Sequence, residues 1–132
     1  MEYSDSLKKN NEFQRVYRKG TSQANRYLVM YVLENHDRHM ENRLGISVSK
    51  KVGNSVVRHR VTRLIRESYR LNERSFRQGL DIVVVARSNA KDRTYQEIES
   101  ALMHLAGRMK IRREAEVHSE ESENGSGQAG EQ

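Results

Sequence analysis

Residues 43–70 read RLGISVSKKVGNSVVRHRVTRLIRESYR, a strand, a turn and a helix in succession. Over 43–49, Leu44, Ile46 and Val48 face one way and Gly45, Ser47 and Ser49 the other, the alternation of a half-exposed strand. Gly53 and Asn54 interrupt it, and Asn54 stands where an N-cap is wanted. From Ser55 to Arg77 the apolar residues recur with a helical period. Val57, Val61, Leu64, Ile65 and Leu71 form one arc, and Arg63, Arg66, Arg70, Arg74 and Arg77 the opposite one, with His59 among them. Arg58 and Arg60 mark the edges between the arcs.

The arginine arc does not serve the helix. Arg66/Arg70 and Arg70/Arg74 are like charges at i,i+4, and each such pair costs roughly 0.2–0.5 kcal/mol. Glu67 and Glu73 offset part of that. A helix chosen for stability alone alternates Glu and Lys. A single sign, Arg in preference to Lys, and separation from the apolar arc describe a polyanion-binding face rather than a solvated one. Guanidinium groups bind phosphate through paired N–H donors and stack on bases, which ammonium groups do not.

Net charge says the same once its distribution is read. The chain carries +6 over 132 residues, but six of its 18 acids (114, 116, 120, 121, 123 and 131) lie beyond residue 113, where there is no Lys or Arg. The first 113 residues hold 24 Lys and Arg against the remaining 12 acids, the balance of a nucleic-acid-binding domain. Residues 1–113 are therefore read as the domain and 114–132, rich in Glu, Ser, Gly and Gln, as a disordered acidic tail. There is no Cys, which removes disulfides and thiolate metal sites and fits a reducing cytoplasm. No stretch is apolar for a membrane's width, and no signal-peptide core precedes the domain.

Elsewhere the expected elements are a helix over Ser6–Lys19 capped by Ser6 and ended by Gly20, and a strand over Tyr27–Glu34. A polar hairpin loop over Asn35–Asn42 follows, then the strand and the arginine helix, the latter closed by Gly79. Leu80–Ala86 (LDIVVVA) is apolar on both faces and reads as a buried strand. Thr94 and Glu97 form a capping box for a last helix, with Tyr95, Ile98, Leu102, Leu105 and Met109 as its core stripe and Lys110, Arg112 and Arg113 at its end.

Two groups of residues carry candidate chemistry. Ser47, Ser49, Lys50 and Lys51 leave a strand end beside Asn54 and Arg58, so hydroxyl, ammonium and guanidinium groups gather at a helix N-terminus, as a phosphate backbone requires. Phe13 and Tyr17 share a face of the first helix, and Tyr27 and Tyr31 a face of the first long strand. A groove between them, lined by rings and edged by Lys and Arg, suits single-stranded RNA. His36 and His39 form a bare HxxH without the further ligands a metal site needs. The four Asp are scattered, and no triad or carboxylate pair presents itself.

The stretch KKVGNSVVRHRVTRLIRESYR, with LKKNNEFQRVYRKG, NRYLVMYVLE, LGISVSKKVGN and LDIVVVAR in order around it, resembles the protein subunit of bacterial ribonuclease P over about residues 7–110. In that family a Gly–Asn turn leads into an Arg–Asn–Arg core. Here Arg58 and Arg60 match, His59 stands at the Asn, and Thr62 replaces a commonly basic residue. The resemblance implies a two-layer α/β sandwich on a mixed four-stranded sheet, with a rare left-handed β-α-β crossover around the arginine helix. General chain sterics favour the right-handed one. It implies a catalytic RNA as partner, one protein per RNA, that removes the 5′ leader of precursor tRNA with Mg²⁺ held through the RNA and no cofactor held by the protein. By the same resemblance Lys50, Lys51, Asn54, Arg58, His59, Arg60, Arg63, Arg66 and Arg70 face the catalytic RNA, and Phe13, Tyr17, Tyr31, Ser47 and Ser49 line the leader cleft.

Two other readings compete. A structural RNA-binding module of the ribosomal kind has no need of an aromatic cleft. A helix-in-groove DNA-binding factor needs small polar residues for base readout, whereas this face is mostly Arg.

Overall fold

The computed structural model describes residues 3–35 and 41–113. The elements are β1 (Ser4–Ser6), α1 (Asn10–Lys19), β2 (Thr21–Ala24), β3 (Leu28–Glu34), β4 (Asn42–Ser47), α2 (Ser55–Asn72), β5 (Leu80–Ala86) and α3 (Tyr95–Arg108), with single 3₁₀ turns at Glu73–Ser75 and Ser88–Ala90. They form one mixed sheet in the order β1-β4-β5-β3-β2. It has five strands rather than the four the resemblance implied; the residues alone indicated three, because the short edge strands β1 and β2 carry no apolar alternation.

The β3–β4 segment is not a hairpin. β5 lies between the two strands, antiparallel to β3 and parallel to β4. Its burial on both faces explains the placement, since LDIVVVA has no polar face to give to an edge. Strands β4 and β5, joined through α2, make the parallel β-α-β unit. Residues 36–40, with His36 and His39, and the tail 114–132 lie outside the described residues.

Helices α2 and α3 cover one face of the sheet. Val61, Ile65 and Tyr69 of α2 and Ile98, Leu102 and Leu105 of α3 pack on Leu28, Met30, Leu44, Ile82 and Val84. Fully burying each such aliphatic side chain contributes about 1.5–3 kcal/mol. α1 lies on the opposite face, where Leu7 and Val16 meet Val83. It starts at Asn10, not Ser6, because Ser4–Ser6 pairs in parallel with Asn42–Leu44 as β1.

The arginine helix ends at Asn72, five residues short of the expected end. Phe76 is buried and packs at a tilt against Tyr69, with ring centroids 4.9 Å apart, so the chain must turn inward there. Gly79, at φ 82°, serves the turn into β5 rather than the helix end. Similarly, α3 stops at Arg108 and Lys110 takes φ 59°. Ile111 N–H then donates to Ala106 O at 3.1 Å, a helix-terminating bond, and Arg112 bridges to Phe76. Arg112 and Arg113 thus lie on an extended segment beside residues 75–77.

Candidate nucleic-acid interface

Asn54 caps α2 as its position suggests: Oδ1 accepts Val57 N–H at 3.0 Å. The helix is rotated from the expected arc toward Ser68 and Tyr69, both fully buried. The cause is polar. The Tyr69 hydroxyl shares a hydrogen bond with Ser4 Oγ at 2.9 Å and accepts from Asn42 Nδ2 at 3.3 Å, within the floor of the core. Leu71, expected on the apolar arc, is 58% exposed in consequence, and Val56 is 75% exposed.

The polar face of α2 carries His59, Arg60, Arg63, Arg66 and Arg70, all exposed. Arg63 and Arg66 form no ion pair with a described carboxylate. Arg70 does: it binds Glu67 one turn back, which holds the Glu67 carboxyl below its ordinary range. Arg60 is pinned, with Nη2 donating to the Arg93 carbonyl at 2.9 Å. Arg58 is half-buried, and its Nε is shut off from solvent without a hydrogen-bond partner. Ser55, Val56, His59, Arg60, Arg63 and Leu64 line an open depression on this face. Lys50 and Lys51 are exposed in the turn that follows β4, at the same end as the α2 N-terminus. Arg74 and Arg77 are not part of this face. Arg74 lies over the Tyr3 ring at 4.8 Å, and Arg77 approaches Glu34 at 3.9 Å.

A second surface lies across the sheet. Phe13 and Tyr17 of α1 are 6.5 Å apart, and Tyr17 meets Tyr31 of β3 edge-on at 4.9 Å. Strand register puts Tyr31 opposite Val83, Gly45 beside Val83, Ser47 beside Val85, and Val29 opposite Val85 on this same face. α1 covers one end of that face and leaves the other open. Val29 and Val85 are half-exposed there, and Val85 is the one break in the burial of β5. The strip therefore runs Tyr17–Tyr31–Val29–Val85–Ser47 and leads to exposed Ser49. Val29 and Val85 were not singled out from the sequence, though the alternation of β3 places Val29 on the face of Tyr31. Tyr27, expected with Tyr31, precedes β3 and packs instead against the α2–α3 core.

Gly45 sets how close α1 comes. A Cβ at that position would stand 2.7 Å from the Phe13 ring, so only glycine lets the ring lie on the strand backbone. An ion-pair network beside this contact fixes the start of α1. Arg43 donates from Nε and Nη2 to Asp81 at 3.0 and 2.8 Å and from Nη1 to Glu12 at 2.8 Å. Asp81 is 1% exposed and also accepts from Asn35 Nδ2 at 2.8 Å. Glu12 Oε1 accepts the backbone N–H groups of Lys8 and Lys9, so one carboxylate ties the start of α1 to β4. Those two N–H bonds first, and Arg43 after them, hold its pKa down to about 2. A lone Asp in LDIVVVA, a strand apolar on both faces, was the signal for such a pair.

Among the described residues no group of three or more His, Cys, Asp or Glu is placed to hold a metal ion, and no helix is long and apolar enough to cross a membrane. What the fold presents is an exposed, mostly unneutralised guanidinium face on one side of a sheet and an aromatic-to-aliphatic groove on the other. That is an RNA-binding protein of mixed α/β architecture.

Comparison with known proteins narrows the class to a family. The family model described as Ribonuclease P matches residues 1–110. The ribonuclease P protein component of Lachnoclostridium phytofermentans is 63% identical over 108 residues, covering 82% of this chain and 91% of that protein. The Staphylococcus aureus RNase P protein superposes with a TM-score of 0.76 at 42% identity, over 82% of this chain and 97% of that one. The Thermotoga maritima protein does so with a TM-score of 0.72 at 28% identity, over 79% and 96%. The chain belongs to the ribonuclease P protein family, the RNA-binding protein components of that ribonucleoprotein.

Proposed function

We infer that this chain binds the catalytic RNA of ribonuclease P through α2 and guides the 5′ leader of precursor tRNA along the groove under α1. As a protein component of that endoribonuclease it serves tRNA 5′ maturation, and the chemistry belongs to the RNA. Lys50, Lys51, Asn54, Arg58, His59, Arg60, Arg63 and Arg66 form the face for the catalytic RNA, and Arg70 joins it once released from Glu67. Phe13, Tyr17, Tyr31, Ser47 and Ser49, joined by Val29 and Val85, form the leader path. The observation that carries the reading is the separation of the two surfaces by a single sheet, which lets one protein touch both RNAs at once.

Among the described residues no carboxylate cluster is placed to hold Mg²⁺. Glu12 and Asp81, on the α1 side of the sheet, are taken up by Arg43. Mg²⁺ is assigned to RNA phosphates, and the protein acts by positioning and by charge. The working domain is residues 1–113, and its setting is the bacterial cytoplasm.

The test is reconstitution. Precursor tRNA is incubated with the protein, the catalytic RNA or both, at Mg²⁺ too low for the RNA alone. Cleavage is expected only with both present. Cleavage by RNA-free protein overturns the reading.

A further inference from the structure

The turn between β2 and β3 holds a cationic feature that neither surface above includes. Asn25, Arg26, Tyr27, Gln96, Ser100 and His104 line an open depression between this turn and α3. The turn is rigidly held. Asn25 Nδ2 donates to the Ala101 carbonyl at 3.0 Å and lies 3.3 Å from His104 Nδ1, while Asn25 Oδ1 accepts Leu28 N–H at 3.1 Å.

Arginines converge on this turn. Arg87 Nη1 donates to the Asn25 carbonyl at 2.8 Å and Arg108 Nη1 to the Ala24 carbonyl at 3.3 Å. Each spends one N–H on the backbone and keeps others for a ligand, so two flexible side chains are held in place before anything binds. Arg26 and Arg93 lie 6.0 and 5.4 Å from the centroid of the Tyr27 ring. Glu97 also lines the depression, and its carboxylate is already opposite Arg93 at 3.5 Å. Stability does not ask for four guanidinium groups around one turn.

The feature is continuous with α2. Arg60 donates to the Arg93 carbonyl, and the Arg93 guanidinium touches the Tyr27 hydroxyl at 3.5 Å. A strand leaving the α2 face at Arg60 meets Arg93 and Tyr27 next. We propose that the catalytic RNA bound by α2 continues across the α2–α3 side to the β2–β3 turn, where one unpaired nucleotide seats its base in the depression beside Tyr27 and its phosphates on Arg26 and Arg87. An aromatic wall with exposed amide, hydroxyl and imidazole groups from Gln96, Ser100 and His104 suits a base better than a protein side chain. The proposal rests on the RNA-binding reading of α2 and adds a site to it.

Two substitutions on exposed residues test it in the full-length protein. Arg26→Ala removes one cation, and Ser100→Leu fills the depression without changing charge. Affinity for the catalytic RNA is measured against salt, beside Arg63→Ala as the α2 control and with circular dichroism for the fold. Arg26→Ala is expected to lower the log–log salt slope by about 0.7–0.9, one phosphate contact. Ser100→Leu is expected to bind about fivefold more weakly or worse, the lower range for a lost base contact, with its slope unchanged. Wild-type affinity in Ser100→Leu overturns the base seat, whatever Arg26→Ala does. So does a loss seen only with precursor tRNA. If Arg63→Ala also binds as wild type, it is the α2 reading that has failed, and the two failures are thereby told apart.

Discussion

At the scale of single residues, burial and pairing sort the arginines of residues 58–77 into different jobs. Arg63 and Arg66 have no described carboxylate partner and oppose the core, so they are the residues at which phosphate binding is best tested. Arg63→Ala and Arg66→Ala are each expected to lower the salt slope of binding to the catalytic RNA by about 0.7–0.9. The fold should survive, because removing a like charge at i,i+3 relieves repulsion. Unchanged slopes with a native circular dichroism spectrum would make the arc a solvated face only. In the groove, Tyr17 is half-buried and meets Tyr31 edge-on. Its loss in Tyr17→Ala should cost on the order of 1–3 kcal/mol of precursor tRNA affinity in the assembled complex if it stacks on the leader. Mature tRNA, lacking a leader, should bind as before. An equal loss for both ligands would refute the groove assignment. Phe13 is a poorer probe, since it also seats α1 on Gly45.

At the scale of elements, α1 is held by charge as much as by its thin apolar face. Val16 is its one fully buried residue, Phe13 and Tyr17 pack part-buried beside it, and the Glu12–Arg43–Asp81 network adds to these. The Glu12 carboxyl titrates near 2, below the ordinary 4.5. A depressed carboxyl adds stability that is fully present above the ordinary value and is lost as pH falls toward the folded one. Wild type should therefore lose more stability than Glu12→Gln between pH 5 and pH 3, read as the shift in denaturant midpoint. Equal shifts would remove Glu12 from the acid response. Asp81→Ala leaves Arg43 with Glu12 as its described carboxylate partner and should destabilise by about 1–3 kcal/mol, the cost of hydrogen-bonding groups left unmet at a part-buried site, read by denaturant unfolding.

At the scale of the whole molecule, the sheet acts as a partition. α2 and its guanidinium groups lie on one side, and the groove under α1 lies on the other. Among the described residues each surface occurs once, and one protein per catalytic RNA is the stoichiometry expected. Sedimentation or native mass spectrometry of the reconstituted particle would check this, and a stable two-protein particle at stoichiometric mixing would count against it.

What the sequence determined by itself was whatever depends on local periodicity and charge. The apolar alternation of β3, the two-sided apolarity of β5, the Asn54 and Thr94 caps and the arginine face of α2 are written in residues within a turn or two of each other. The arginine face was legible because its residues recur at helical spacing on one element. Tertiary structure decided the rest. The insertion of β5 between β3 and β4 depends on pairing among segments far apart in the chain, and periodicity carries no information about partners. The edge strands β1 and β2 have no hydrophobic signal and exist because a neighbouring strand offers hydrogen bonds. α2 stops at Asn72 because Phe76 has a buried place to fill against Tyr69, not because of any residue that breaks a helix. The open floor at Val29 and Val85 follows from the length of α1 and from the bare backbone of Gly45. Those are facts of packing, and no window of sequence contains them.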